Sequence, residues 1–372
     1  MDKKITVLHT IETAGPGGAE TVVLQLATLL NPERFRSLVV LPERRWLGAE
    51  LEARGVPTFY VPSKAWYDLQ TPMGLVRTIR DKHVDVVHSH LPYQNFDACL
   101  AGALTGRKTI VTYHGPVELE HAGTWPSRIR LATVRRRADS VVVVCDFVGQ
   151  MLVNLGFDAG KIVRIYNGIH VNGAGNSVRG KFRRELGIDP SIRLVGMIAN
   201  VRKSKGYEFY VRAAAKVLER YPNAVFVGAG DIDEQLGAPI RKLMSDLALG
   251  DRFRLLGFRS DVRQILEDLD LTVLASTSEG MPLVTIEAMA ASKPLVVTRC
   301  GGPPEVVEHG TTGLTVPPGD ADALAEAILS MLQRDDTAEM GRRARAKVER
   351  EFSIEKMIAS YEELYTRTVE AA

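Results

Sequence analysis

The sequence predicts an α/β protein built from two doubly wound parallel sheets that face each other across a cleft. Apolar runs of strand length alternate with stretches of helical periodicity along almost the whole chain, which is typical of parallel sheets with helices on both faces. The alternation stops near the middle, where residues 170–180 contain several glycines and no apolar periodicity. A chain of 372 residues is also long for one domain. We therefore predict a first domain over 1–175 and a second over 176–353.

The first half opens with a buried strand at Ile5–Leu8. Further strands are predicted at Ser37–Leu41, Val56–Val61, Val84–His88, Thr109–Tyr113, Ser140–Val144 and Ile162–Tyr166. Helices are predicted between them at Thr21–Leu30, Trp46–Arg54, Pro72–Lys82, Asn95–Leu104, Ser127–Arg137 and Phe147–Leu155. Ligands of such sheets bind at the carboxyl ends of the strands, so we expect the chemistry to follow the strands directly.

A glycine-rich turn, TAGPGGAE, follows the first strand and contains Gly17 and Gly18. Glycines at such a turn let the backbone approach a ligand closely. No Gly-Lys-Ser/Thr follows, so the turn is not a P-loop, and the spaced glycines of a dinucleotide fingerprint are also absent. Two interpretations stay open: a tight turn that needs glycine for its geometry, or a loop that covers the ligand of the opposite domain.

Three histidines, His88, His90 and His114, are expected at the ends of strands. His114 is the strongest candidate, because the following Gly115–Pro116 turn would leave its imidazole facing a cleft. A structural histidine is the alternative. His-x-His with no carboxylate or cysteine nearby is a weak metal signal, so we predict no metal site.

The predicted helix Ser127–Arg137 carries a basic run, with arginines at five positions between Arg128 and Arg137 and apolar residues at Ile129 and Leu131. Basic amphipathic helices favour anionic lipid surfaces. A solvated charged face is the alternative.

The second half repeats the alternation, with strands predicted at Leu194–Ala199, Ala224–Val227, Phe253–Leu256, Leu271–Leu274, Pro294–Thr298 and Leu314–Val316. Helices fall between them, for example at Tyr207–Arg220 and Asp322–Gln333. The first loop of this half, NVRKSKG, carries Arg202, Lys203 and Lys205 at the start of a helix. Cations are unfavourable there unless an anion offsets them, which points to a phosphate ligand. Exposed surface cations are the alternative.

The stretch EGMPLVTIE, Glu279–Glu287, predicts a turn and then a helix, with Pro282 in the first helical turn. Free N–H groups and the helix dipole would converge on one spot, which suits a phosphate. Glu287 would lie roughly 7–8 Å along the helix axis, about the offset between a nucleotide's terminal phosphate and its ribose. Glu279 in the turn would then contact what the phosphate carries. The alternative is that both glutamates are ordinary surface acids.

Composition gives little reason to expect a nucleic-acid partner. Charged residues make up 25% of the chain, but the net charge is only +2. The 3 cysteines are far apart in apolar runs and indicate buried thiols in a reducing compartment. No apolar run approaches the ~18 residues that a membrane span needs, and the run after Lys4 is too short for a signal peptide. We expect a cytoplasmic protein that could lie on the inner face of the membrane.

Several segments together resemble the family-four retaining glycosyltransferases, which have the two-sheet GT-B fold. EGMPLVTIEAMA is similar to the Glu-x7-Glu signature of that family, and PGGAE to its glycine-rich amino-terminal loop. The segments DVVHSH, TYHGP, IYNGI, RKSKG, VGAGD, LGF, GGPPEVVEHGTTGLTVPPGD and FSIEKMIASYEELY resemble family segments in the family's order. The resemblance covers nearly the whole chain. It implies that a carboxy-terminal helix, within 354–372, crosses back onto the first domain.

The resemblance also implies a role for each site residue on the donor side. Arg202 and Lys205 would bind the donor diphosphate and stabilise it as the leaving group. Glu279 would contact the transferred sugar near the reacting carbon, and Glu287 would hold the ribose hydroxyls. Backbone N–H groups would come from the turn and helix start at Gly280, Met281, Pro282, Leu283 and Val284.

On the acceptor side, the resemblance places His114 close to the hydroxyl groups of the donor sugar. Gly17 and Gly18 would approach the diphosphate or the acceptor when the cleft closes. The family more often has an arginine at the position of Asn200, so Arg202 is a departure from its pattern.

The function that these residues imply is transfer of a hexose from a nucleotide-diphosphate sugar to a glycan or lipid-linked acceptor, without cofactor or metal. Fixed cations and helix N–H groups would stabilise the leaving diphosphate. A front-face mechanism, in which the leaving phosphate takes the acceptor's proton, is our hypothesis. Three alternatives stay open: a sugar-nucleotide epimerase of the same architecture, an NAD-dependent dehydrogenase, and a non-catalytic two-lobed sugar-binding protein.

Overall fold

The computed structural model describes residues 4–62, 68–171 and 180–371. The chain forms two compact units, Met1–Gly168 together with Ile354–Ala372, and Ile169–Ser353. The boundary that we placed between residues 175 and 176 lies outside the described residues. Residues 354–371 belong to the first unit, although they follow the second along the chain.

The first unit contains a seven-stranded parallel sheet in the order β3-β2-β1-β4-β5-β6-β7. Its strands are β1 (Ile5–Ile11), β2 (Phe35–Leu41), β3 (Thr58–Tyr60), β4 (Val86–His90), β5 (Lys108–Tyr113), β6 (Ser140–Val143) and β7 (Ile162–Arg164). Its helices are α1 (Gly18–Leu29), α2 (Trp46–Ala53), α3 (Gln70–Asp81), α4 (Pro92–Thr105), α5 (Trp125–Arg137) and α6 (Asp146–Asn154), with α15 (Ile354–Glu370) from the end of the chain.

The helix α15 completes the core on one face of this sheet. Its apolar residues Met357, Tyr361 and Tyr365 are buried against Val7 and Val86 of the central strands. Burying a side chain of this size stabilises the fold by about 1.5–3 kcal/mol. The helix is therefore an integral part of the first unit.

The second unit contains a six-stranded sheet in the order β10-β9-β8-β11-β12-β13. Its strands are β8 (Arg193–Ile198), β9 (Ala224–Ala229), β10 (Phe253–Leu255), β11 (Leu271–Leu274), β12 (Leu295–Thr298) and β13 (Leu314–Val316). Its helices are α7 (Lys181–Glu185), α8 (Tyr207–Arg220), α9 (Glu234–Asp246), α10 (Val262–Asp268), α11 (Leu283–Ala290), α12 (Pro303–Val306), α13 (Ala321–Gln333) and α14 (Thr337–Glu351). Every described strand pairing in both units is parallel, so the predicted pair of doubly wound sheets is confirmed.

The strand order of each sheet reverses at one point, between β1 and β4 in the first unit and between β8 and β11 in the second. Crevices at the carboxyl ends of strands beside such a point are where doubly wound sheets bind ligands. The glycine-rich turn follows β1, the NVRKSKG loop follows β8 and the Glu279 turn follows β11. The segments selected from the sequence therefore lie at the switch points.

Local differences from the sequence predictions are small. The strand β4 continues to His90, because its backbone stays paired with β1 and β5 although its last residues are polar. Pro282 lies just before the first turn of α11 instead of inside it. In α5 only Ser127 and Val134 are buried, while Ile129 and Leu131 are half-buried, so the predicted apolar side of that helix is partly exposed.

Two further features bear on the environment of the protein. The three cysteines are buried, and none of them forms a disulfide within the described residues. Within the described ranges, no helix has both the length and the apolar character that crossing a membrane requires.

Candidate functional site

Two loops of the second unit come together at the carboxyl edge of its sheet. The N–H of Thr277, after β11, donates a hydrogen bond of 2.7 Å to the carbonyl of Ser204, after β8. Gly206 has a φ of +68°, and a Cβ there would lie 1.9 Å from the carbonyl oxygen of Ala275. Only glycine fits this approach, which holds the cationic loop against the Glu279 turn.

An ion pair joins the two loops. Lys205 Nζ lies 2.6 Å from Glu279 Oε1, and the buried hydroxyl of Ser276 donates to the same oxygen at 2.6 Å. Glu279 is only 8% exposed. The anion that we expected near the cationic loop is thus supplied in part by the protein itself. The ammonium group has three donors, so Lys205 keeps N–H groups for a second anion.

The backbone of Glu279 is also fixed. Its N–H donates to the carbonyl of Cys300 at 2.9 Å, and its own carbonyl accepts from the N–H of Gly302 at 3.1 Å. These bonds tie the turn to the segment that follows β12. Because its backbone and its carboxylate are both hydrogen-bonded, the Glu279 side chain is held in one position, as a residue of a binding site must be.

The start of α11 provides backbone donors beside this ion pair. Gly280, Met281 and Pro282 lead into the helix, and Leu283 and Val284 form its first residues. The first N–H groups of a helix have no partner within the helix, and the helix dipole adds positive potential there. This arrangement is able to bind a phosphate.

Glu287 is the fifth residue of α11 and is half-buried. Burial raises its pKa. A carboxylate in this setting gains from hydroxyl donors, which restore part of the solvation that burial removes.

Arg202 is not drawn into the ion pair. Its side chain is exposed, and in the part of the chain that the structure describes no carboxylate lies within 4.0 Å of its guanidinium. Of the two predicted diphosphate ligands, the structure brings Lys205 to Glu279, while Arg202 has no acidic partner among the described residues.

In the first unit, His114 directly follows β5 and is partly exposed. Its backbone N–H donates to Glu118 Oε1 at 2.5 Å, and its Nε2 lies 3.0 Å from Nδ1 of His90. Burial lowers the pKa of His114 to about 4. The imidazole is therefore neutral near pH 7.

Three carboxyl groups of the first unit, one of them in contact with His114, were missed by sequence reasoning. Burial raises the pKa of Glu118 to about 8, and it raises the pKa values of Glu12 and Asp97 to about 7. Glu12 accepts hydrogen bonds from the N–H groups of Tyr93 and Gln94, at the start of α4. Glu12 comes directly after β1, and this position after a strand was the signal that could have identified it.

The glycine-rich turn leads into α1. Gly17 is the residue before the helix, and a Cβ there would lie 2.4 Å from the buried Glu20 carboxylate. A Cβ on Gly18 would meet nothing within 4 Å. A Cβ at position 17 would therefore require the Glu20 side chain to shift, whereas position 18 has space for a Cβ.

Three buried imidazoles, those of His9, His88 and His90, each present a nitrogen within 4.8 Å of the others. Both nitrogens of His88 are already hydrogen-bonded, to the Tyr365 hydroxyl at 2.6 Å and the Thr112 hydroxyl at 2.7 Å. A metal such as zinc sits about 2.0–2.1 Å from each nitrogen, so it would have to displace a hydroxyl and draw the rings together. Both nitrogens of His9 and the Nε2 of His90 have no hydrogen-bond partner among the described residues. The bonds of His88 are therefore the observation against a metal centre, and the absence of a metal stays a prediction.

Four arginines of the basic helix α5 have no acidic partner among the residues that the structure describes. In the described ranges, no carboxylate lies within 4.0 Å of Arg128 or of any arginine in Arg135–Arg137. Arg128 and Arg135 line a cavity of about 340 Å³ together with Leu131 and Leu155. Most arginines of the second unit, by contrast, are paired with acids.

Comparison with known proteins relates both halves of the chain to one enzyme class. A model described as Glycosyltransferase Family 4 matches residues 16–172, and one described as Glycosyl transferases group 1 matches residues 190–334. The N-acetyl-alpha-D-glucosaminyl L-malate synthase of Bacillus anthracis is 30% identical over 80% of this chain and 79% of that protein. The UDP-Gal:alpha-D-GlcNAc-diphosphoundecaprenol alpha-1,3-galactosyltransferase of Escherichia coli is 25% identical over 97% of each chain.

Solved structures share the fold. HepE of Anabaena, crystallised with UDP-glucose, superposes with a TM-score of 0.88 at 22% identity, covering 99% of this chain and 100% of that one. The sucrose-phosphate synthase of Thermosynechococcus elongatus superposes with a TM-score of 0.80 at 21% identity over the whole of both chains. At these identities the likeness concerns architecture, and it matches the two-sheet arrangement described above.

Proposed function

Because the chain belongs to glycosyltransferase family 4, we propose that it moves a hexose from a nucleotide-diphosphate sugar to a glycan or lipid-linked saccharide, with retention of configuration. The Escherichia coli relative supports this, since its name describes transfer from UDP-galactose to a diphosphoundecaprenol-linked acceptor. We place the reaction in the assembly of cell-envelope or exopolysaccharide glycans.

The observation that carries the proposal is the Lys205–Glu279 pair beside the start of α11. A diphosphate would accept hydrogen bonds from the free donors of Lys205 and from the N–H groups of Leu283 and Val284. Glu279, fixed by Ser276 and by its backbone bonds, would face the uncharged sugar beyond the phosphate. We assign Glu287 to the ribose hydroxyls and Arg202 to the outer oxygens of the diphosphate.

The same groups would also stabilise the leaving group during the reaction. Breaking the bond between sugar and phosphate builds negative charge on the departing diphosphate, and fixed cations and helix N–H groups stabilise charge that develops where they point. We propose that they do so without a metal ion. His114 would donate a hydrogen bond to a sugar hydroxyl, and Gly17 and Gly18 would let the backbone of the first unit approach the substrates.

We propose further that α5 contacts an anionic membrane surface through Arg128 and Arg135–Arg137. A lipid-linked acceptor resides in such a surface, and unpaired arginines favour it. The apolar residues of α5 that stay half-exposed would add contact with the lipid.

A thermal-shift panel of nucleotide-diphosphate sugars tests donor binding. A ligand at a hundred times its Kd adds about 2.7 kcal/mol to the stability of the folded protein, and Lys205→Ala should lose that shift. A panel with no stabilising member would contradict the proposal.

Product analysis then separates the reaction types. Release of nucleoside diphosphate that requires an acceptor, and that persists with excess chelator, is expected. Conversion of the nucleotide sugar without acceptor would indicate an epimerase. A change in nicotinamide absorbance would indicate a dehydrogenase, and binding without turnover a sugar-binding protein.

A further inference from the structure

Four histidines of the first unit lie on one face at the carboxyl edge of its sheet. His9 is paired with His88 between the neighbouring strands β1 and β4. His88 and His90 are two residues apart in β4, so their side chains lie on the same face of the sheet. Two hydrogen bonds join His88 and His90 to residues on or just after β5, and each reaches two residues past the paired position. His88 Nε2 meets the Thr112 hydroxyl at 2.7 Å, and His90 Nδ1 meets His114 Nε2 at 3.0 Å.

The bond between His90 and His114 needs one proton, and either ring could supply it. The Nε2 of His90 is buried and has no hydrogen-bond partner among the described residues. If His114 donated, the single proton of His90 would lie on this Nε2 as an orphaned buried N–H. If His90 donates from Nδ1, its Nε2 is left as an unpaired acceptor. Orphaned buried N–H groups are rarer in proteins than unsatisfied acceptors, so donation by His90 is favoured.

This argument requires both rings to be neutral. Burial lowers the pKa of His114 to about 4 and holds the pKa of His90 well below its usual value. Neighbouring imidazoles act in the same direction on His90. Each ring therefore carries one proton near pH 7.

The orientation of His90 is fixed by its surroundings. Its ring lies 4.2 Å from the ring of His88, centroid to centroid. His88 is itself held by Tyr365 and Thr112, and His90 is fully buried. A ring packed on an immobile neighbour keeps its Nδ1 aimed at His114.

We propose that His90 is a positioning residue that donates its Nδ1–H to His114 and so fixes His114 in the Nδ1–H tautomer. His114 then presents a hydrogen-bond donor, not an acceptor, to its ligand. This inference rests on the proposed function in one respect: the ligand of that donor is a hydroxyl group of the nucleotide sugar. The assignment of the tautomer itself does not depend on catalysis.

Long-range proton–nitrogen NMR of the full chain, labelled with ¹⁵N-histidine, tests the tautomer directly. Loss of one signal set in His114→Asn assigns His114, and the exposed His83→Asn serves as the control for the method. We expect His114 to show the Nδ1–H pattern in the unsubstituted protein. An Nε2–H pattern there would overturn the proposal.

Substitutions of His90 test its part in the arrangement. His90→Asn keeps an amide donor at the position of Nδ1, whereas His90→Gln places its amide beyond it and His90→Leu has none. We expect His114 to stay Nδ1–H in His90→Asn and to gain the Nε2–H form in His90→Leu and His90→Gln. Thermal unfolding identifies any variant that fails to fold, and the decision then rests on the Asn and Gln pair. An unchanged His114 pattern in every folded variant would overturn the proposal.

Kinetics connect the tautomer to the reaction. We expect kcat to fall about tenfold in His90→Leu, from loss of one hydrogen bond, with a smaller change in donor KM and recovery in His90→Asn. If the enzyme transfers no sugar from any donor, the proposed function fails while the tautomer measurement still decides the role of His90. If the tautomer shifts and turnover does not, the link between His90 and substrate is refuted.

Discussion

The Lys205–Glu279 ion pair couples the stability of the second unit to its proposed chemistry. Glu279 is almost fully removed from water, and its carboxylate contacts Lys205 and the hydroxyl of Ser276. Breaking a buried pair by removing one partner is costly, because the other charge stays desolvated and uncompensated. Lys205 is partly exposed, which moderates the cost.

We expect Lys205→Ala to lower the free energy of unfolding by about 1–2 kcal/mol and to reduce sugar transfer by at least about 100-fold. Urea unfolding and a steady-state assay measure the two effects. The matched control is Lys203→Ala, a neighbouring exposed cation, which should change the stability little. Adding Glu279→Gln to Lys205→Ala should restore stability and leave transfer impaired. Equal losses in the two lysine variants would argue against a special position for Lys205.

We expect Glu287 to contribute to binding of the nucleotide-sugar donor and not to binding of the acceptor. We expect Glu287→Ala to raise the donor KM roughly 10- to 100-fold, since a hydrogen bond to a charged group contributes about 1.5–3 kcal/mol. A donor lacking the ribose 2′- and 3′-hydroxyls supplies the control. It should bind poorly to the parent enzyme and be affected little by the substitution. A normal KM for the natural donor would remove the role assigned to Glu287.

Glu118 makes stability depend on pH. Its pKa is raised from 4.5 to about 8 in the folded protein, so the folded state holds its proton more tightly than the unfolded state does. Its contribution is complete below about pH 4.5 and is lost as pH rises through about 8. We expect Glu118→Gln, which keeps an acceptor for the His114 N–H, to be stabilising relative to the parent above pH 8, by at most about 5 kcal/mol. Urea unfolding from pH 5 to 9 measures this difference, and a pH-independent difference would contradict it.

The sequence predicted which residues belong to the site better than it predicted which residues contact each other there. Lys205 and Glu279 were both assigned to the site from the sequence, but to separate substrate groups. Their direct contact depends on how closely two loops approach, which Gly206 and the Ala275 carbonyl determine in three dimensions. Glu12 was missed although it directly follows a strand, because its burial depends on residues far along the chain, as do its hydrogen bonds with the start of α4. Glu118 does not directly follow a strand, and nothing in its sequence position distinguishes it from a surface acid.

Among the elements, the strands were predicted best and the helix surfaces least well. Apolar runs predicted all the described strands, because the central strands of both sheets are buried on both faces. The edge strands β3 and β7 are partly exposed but still apolar enough to be recognised. The end of β4 was predicted too early, at His88, because polar residues follow the apolar run. The backbone of these polar residues stays paired with β5 up to His90. For α5, composition indicated a basic face, but which apolar residues become buried depends on neighbouring helices.

The proposed membrane role of α5 gives a prediction at this scale. We expect replacement of Arg135–Arg137 by glutamine to weaken binding to phosphatidylglycerol-containing vesicles by about 1 kcal/mol per arginine. Co-sedimentation measures it, with phosphatidylcholine vesicles as the neutral reference.

A matched control has the same change in net charge on another helix. It replaces three arginines of α14 that are paired with Glu339 or Glu349, namely Arg342, Arg343 and Arg345. This variant should keep most of its binding. Equal losses would show that net charge, not α5, governs the interaction.

For the molecule as a whole, the two-unit plan followed from the repeated alternation, and the return of α15 to the first unit followed only from the resemblance. Nothing in the periodicity of residues 354–370 indicates which sheet they cover. Only the tertiary structure shows that Met357, Tyr361 and Tyr365 are buried beside Val7 and Val86. Propensity and pattern therefore predict that this helix forms, but not where it packs.

Removal of residues 354–372 should unfold the first unit selectively. The helix buries several large side chains at about 1.5–3 kcal/mol each, a sum comparable with the whole net stability of a domain. We expect hydrogen exchange to show lost protection in β1 and β4 and retained protection in β8 and β11. Glu363→Gln, on the exposed side of α15, is the control. Intact protection of β1 after truncation would show that the helix is dispensable.

The return of α15 also sets an order of events during synthesis. At roughly 5–20 residues per second, a ribosome needs on the order of 10–40 s to translate the second unit after the last strand of the first has emerged. Throughout that interval the face of the first sheet around Val7, Val86 and Ile110 lacks its cover. The nascent chain therefore exposes an apolar surface that chaperones can bind until α15 leaves the exit tunnel, and slow translation of residues 169–353 would prolong that exposure.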